Sequence, residues 1–191
     1  MKILLCSIFS LAALTVSGLA QVAVPQGAVK IGKPQPAGIK SPEYQINSGP
    51  QKRYKIGTWL EIEVPYETLV DDIPELTFEY VVGIGNGPNA KLLDGSVTYI
   101  NIPSGKDHYA VMYIPPRTLD KLTGGKPLTQ SDIANVWITA KSQGATIAVA
   151  ALKPENIPTN LPHLSGLILN KNQTPFAPLY YDRYETIKEQ H

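Results

Sequence analysis

The sequence predicts an all-β chain, an antiparallel sandwich of about nine short strands with one or two short helices. Three observations carry this. From residue 43 onward apolar residues recur at every second position. Turn-forming pairs separate these runs at intervals of about ten residues. Seventeen prolines, all after residue 24, exclude a helical bundle, because proline breaks a helix interior.

Residues 59–64 read Trp-Leu-Glu-Ile-Glu-Val. Leu60, Ile62 and Val64 are expected to face a core, and Glu61 and Glu63 to face water. Residues 76–82 repeat the pattern, with Leu76, Phe78, Tyr80 and Val82 on one side. Asp94 and Gly95 predict a type I′ turn between strands at 91–93 and 96–100. A further strand over 108–114 ends at Pro115 and Pro116. Residues 141–144, Lys-Ser-Gln-Gly, predict a hairpin joining 136–140 to 145–150. A last pair is expected between 167–169 and 179–184. Short helical turns are expected over 117–122 and 129–134, the second capped by Thr129. Both lie in one long connection at an end of the sandwich.

The N-terminus has a different character. Lys2, an apolar run from Ile3 to Val16, and Ser17-Gly18-Leu19-Ala20 have the three-part form of a secretory signal peptide cut after Ala20. The single cysteine, Cys6, lies inside it. Export is therefore expected, to the periplasm or the outer-membrane surface, with no transmembrane segment after processing. Residues 21–42 are rich in Pro, Gly and Lys and read as a flexible tether. The alternative is a donor strand built from Val22, Val24, Val29 and Ile31. The sandwich is expected over 43–188.

Loss of Lys2 with the leader leaves 16 basic and 16 acidic side chains, from 17 and 16 in the whole chain. A neutral balance argues against nucleic acid as a partner, since that needs a basic face. No motif dictates a chemistry. The glycines at 83, 85 and 87 lack the spacing of a nucleotide loop and read as a turn. His108, His163 and His191 are widely separated and read as surface histidines rather than metal ligands. Asp71 and Asp72 lack the alternating oxygen ligands of a calcium loop. Glu61 and Glu63 are spaced like glycosidase carboxylates, but an exposed strand face offers no burial to shift either pKa. Hence no enzyme activity, cofactor or metal is expected. Tyrosine outnumbers phenylalanine ten to three. Tyr109, Tyr113, Tyr180, Tyr181 and Tyr184 are the candidate contacts for a partner or a glycan, with packing at a sheet edge as the alternative.

Residues 54–67, 74–80 and 108–116 together resemble the small exported proteins called pilus-like in mucin-degrading gut Verrucomicrobia. The similarity runs from about residue 41 to 188. It implies an immunoglobulin-like sandwich related to the head domain of archaeal-type pilins, a bacterial cell-envelope location, and no catalytic residues. The chain lacks the charged residue-glycine cut site and retained apolar helix of a type IV prepilin, which points to an accessory subunit. The expected function is a non-enzymatic envelope protein that binds other envelope or pilus-like proteins in an adhesive assembly. The alternative is a carbohydrate-binding module for host glycans.

Overall fold

The computed structural model describes residues 24–45, 47–48, 56–87 and 90–189. The expected leader and His191 lie outside them. Eleven strands are described, β1 Val29–Ile31, β2 Gln35–Lys40, β3 Thr58–Thr68, β4 Ile73–Ile84, β5 Lys91–Ile102, β6 Gly105–Ile114, β7 Ile133–Ser142, β8 Ala145–Ala151, β9 His163–Ser165, β10 Leu169–Asn170 and β11 Thr186–Ile187, with helix α1 over Pro116–Thr123. They form two facing sheets. One runs β1-β3-β6-β10 with β2 also on β3, and the other runs β11-β5-β4-β7-β8 with β9 also on β5. The all-β sandwich expected from the period-two pattern is the observed fold.

The inward faces are those the alternation indicates. Leu60, Ile62 and Val64 of β3 and Leu76, Phe78, Tyr80 and Val82 of β4 are each at most 1% exposed. They join one core with Ala110, Met112, Val136 and Ile138. Phe78 lies between Tyr66 and Tyr99, with ring centroids 4.9 and 6.0 Å away. The connection from β6 to β7 crosses between the sheets and carries α1, with Pro near its start and Gly124 closing it at φ 67°. A capping box between Thr129 and Asp132 holds the second helical turn. Gln143 and Gly144, at φ 51° and 79°, make the β7–β8 turn. Gly85 and Gly87 turn the chain after β4, as expected.

Four expectations need correction. The segment read as a flexible tether contains β1 and β2, and both pair antiparallel with β3. Ala28 and Val29 are 5% and 2% exposed, and it is this burial that orders the arm. The arm thus serves as a strand for its own sheet, not for a neighbour's. Asp94 and Gly95 do not turn; they lie inside β5, paired with Val81 and Tyr80. A Cβ at Gly95 would stand 2.7 Å from Ile168 Cβ, so this glycine is needed for a close approach and not for a positive φ. The C-terminal hairpin is absent: β10 is two residues long on β6, and residues 179–184 form turns. Finally, His108 is not a surface histidine; it is 7% exposed.

Candidate functional site

Alternation puts Trp59, Glu61 and Glu63 of β3 on the face opposite the core, beside Tyr109, Val111 and Tyr113 of β6. That face was expected to meet water. Residues 171–184 cover it instead. Trp59, Val111, Tyr113 and Phe176 make a second, smaller core there, flanked by Ile39, Leu179 and Tyr184. Phe176 stacks on Tyr113 at 4.9 Å and meets Trp59 edge-on at 5.6 Å. The covering segment is held by its own turns. Thr174 Oγ1 donates to the Lys171 carbonyl at 2.7 Å, and the buried Lys171 ammonium donates to the Ala177 carbonyl at 2.7 Å. Burial lowers the Lys171 pKa.

Its end is fixed to β3 by charge. Arg183 donates Nη2 to Glu63 Oε1 at 2.6 Å and Nε to Oε2 at 2.9 Å. Tyr184 Oη donates to the same Oε2 at 2.7 Å. Burial pushes the Glu63 carboxyl up, but the Arg183 and Tyr184 hydrogen bonds and the Arg183 charge outweigh it and hold the pKa below its usual 4.5. Glu61 differs. Among the described residues no lysine or arginine forms an ion pair with it, and burial, reinforced by the neighbouring Glu63 charge, outweighs the Tyr113 hydroxyl and the Arg183 charge and raises its pKa above 4.5. Directly across from Glu61 stands Tyr113, whose buried hydroxyl faces the Glu61 and Tyr184 side chains.

Between this covering segment and the β2–β3 edge lies a cleft of about 460 Å³. Glu61, Glu63 and Phe176 line its floor, and Lys40, Tyr180 and Arg183 its exposed rim. Of the candidate tyrosines, Tyr113 is fully buried and is excluded as a contact residue. Tyr184 is half-buried and committed to Glu63. Tyr109 lies under Arg183, whose guanidinium carbon is 3.7 Å from the ring centroid. Tyr180 and Tyr181 are exposed, at 56% and 84%.

Two arrangements resemble catalytic sets. The carboxylates Glu61 and Glu63 have pKa values pushed apart, as a glycosidase needs, but the Arg183 fork occupies Glu63. Thr68, His108 and Glu185 have the order of a nucleophile-base-acid triad, at 3.3 and 3.0 Å. Thr68 is 2% exposed, however, and its hydroxyl donates to the Pro103 carbonyl at 2.6 Å. Its proton is therefore engaged by the Pro103 carbonyl and not by His108. The cluster instead ties the C-terminal region to β3 and β6. His163 is exposed and bonds Asp94 at 2.9 Å. Among the described residues no group of three or more His, Cys, Asp or Glu is placed to hold a metal ion.

A protein-family profile matches residues 20–191. The chain belongs to that family. A crystal structure of a protein from Akkermansia muciniphila, a gut bacterium of the Verrucomicrobia, superposes with a TM-score of 0.75 at 22% identity, covering 85% of this chain and 94% of that one. At that identity the similarity establishes the shared fold. No curated protein matches. Among the described residues no helix is long and apolar enough to cross a membrane.

Proposed function

We propose that the chain is a non-catalytic protein of the cell envelope that works by binding other proteins, as a subunit of a pilus-like or adhesive assembly. One observation carries this reading, the free edge of β8. This seven-residue strand, Ala-Thr-Ile-Ala-Val-Ala-Ala, has no charge and no proline. Among the described residues it pairs only with β7. Leu152 N–H bonds the Val136 carbonyl, so ladder alternation turns the N–H and C=O groups of Val149 and Ala151 away from β7. Val149 is 69% exposed. Natural sheets guard such edges with charge, proline or shortness. The other sheet does so, with Pro36 and Lys40 on β2 and only two residues in β10. An unguarded edge suits strand addition by a partner.

The leader-like pattern of residues 1–20, a basic residue, an apolar run and small residues before Gln21, supports export. The test is capture of partners from envelope fractions by the wild type, Val149→Lys and Val149→Pro. The proline variant blocks the outward N–H and spares the β7 ladder. Loss of capture by both variants, at unchanged melting temperature, is the expected result. Equal capture by all three places the interaction elsewhere and refutes the β8 reading.

A further inference from the structure

The cleft at the end of the covering segment has features that packing alone does not require. Glu61 stands half-buried at its floor with no cation paired to it among the described residues, although its neighbour Glu63 has both a guanidinium and a phenol. A half-buried carboxylate has several acceptor sites, so it keeps capacity for a donor that enters the cleft. Tyr180 at the rim has φ 54°, a left-handed conformation that a bulky residue seldom adopts. The turn in which Arg183 N–H bonds the Tyr180 carbonyl holds it there, with its ring more than half exposed. Strain of this kind persists where the surrounding structure imposes it, and it clusters at binding sites. Tyr181, beside it, is the most exposed large hydrophobic residue described.

The charges select the ligand class. Lys40 and Arg183 at the rim repel a cation. Glu61 and Glu63 at the floor repel an anion. A neutral ligand with many hydroxyls satisfies both, donating to Glu61 and accepting from the rim donors. Aromatic side chains beside these polar groups favour a ring with an apolar face, and about 460 Å³ falls in the range of small-molecule clefts.

We propose that this cleft binds a neutral saccharide unit, with Tyr180 as the stacking platform and the Glu61 carboxyl as the hydrogen-bonding group at its floor. The site lies apart from β8 and does not rest on the protein-binding reading; it would add a ligand to a protein that also binds partners.

The test is a titration of the full chain with neutral hexoses, N-acetylhexosamines and their disaccharides, followed by amide chemical shifts. Binding should perturb residues 176–184 and β3 around Glu61. Tyr180→Ala should weaken it at least about tenfold, and Tyr180→Phe should stay within about threefold of wild type, since the ring and not the hydroxyl stacks. Glu61→Gln should weaken it about fivefold or more. Val149→Lys should leave it unchanged. If Tyr180→Ala fails to fold, the Glu61→Gln and Tyr180→Phe pair decides. Absence of shifts at about 50 mM sugar overturns the proposal, as does tighter binding of an amine or an acidic sugar, or binding indifferent to Glu61→Gln. Equal partner capture by wild type and both Val149 variants, with sugar binding intact, would refute the β8 reading alone.

Discussion

Arg183 grips Glu63 through two hydrogen bonds of 2.6 and 2.9 Å, joining residues 120 apart in sequence. The pair anchors the covering segment to the outer face of β3, with Tyr184 bonded to the same carboxylate. The Glu63 side chain is 13% exposed and that of Arg183 40%, so screening discounts the charge, but the fork keeps its geometry. Arg183→Ala is expected to cost about 1–2 kcal/mol. Arg183→Lys should recover less than half of that, because a point charge cannot fork a carboxylate. Urea unfolding of the three proteins checks this, and equal stability of the lysine variant would contradict it.

The two carboxyls predict opposite pH effects. The Glu63 pKa is depressed in the fold, so its contribution is full above the unfolded value near 4.5 and is lost as pH falls through the folded pKa. The wild type should therefore lose more stability between pH 5 and the acid limit than Glu63→Gln does.

The Glu61 pKa is raised, so the folded state binds its proton more tightly than the unfolded state. Its stability contribution is greatest below about 4.5 and falls as pH rises through the folded value. Glu61→Gln should melt higher than wild type at pH 7, with the gain vanishing below pH 4. Melting curves across this range check the sign, and a lower melting temperature at pH 7 would contradict it.

Phe78 is 0% exposed and touches aromatic rings from both sheets. Truncation to Ala should destabilise by about 3–5 kcal/mol, since the surrounding rings cannot collapse into the gap. A cost below about 1 kcal/mol would contradict the register of β4.

Removal of everything before Ser41 takes away β1 and β2 and exposes the edge of β3. Loss of buried Val29 and Ala28 alone should cost about 3 kcal/mol. The shortened chain should melt lower and, with an open edge, associate. Sedimentation and melting measured together check both effects, and an unchanged melting temperature would contradict them.

Local pattern sufficed for β3, β4, β6, α1 and the β7–β8 hairpin. Side-chain alternation and turn residues act within a few positions, so they can be read along the chain. The same logic misplaced the arm. Residues 29–40 hold too little apolar surface to order alone, and they order because β3 offers an unfilled edge about thirty residues away. Asp94 and Gly95 carry a turn signal, but β4 on one side and Ile168 against Gly95 hold them extended. Glu61 and Glu63 alternate as water-facing residues do, and no local feature announces that Phe176, Arg183 and Tyr184 will cover them. His108 became a buried histidine for the same reason, with Thr68 and Glu185 arriving from 40 and 77 residues away. The sequence by itself determined the sandwich, the inward face of each long strand and the surplus of tyrosine. Only the tertiary structure decided which tyrosines are exposed, which carboxylate is paired and which edge stays open, because those depend on contacts between distant segments that no local period encodes.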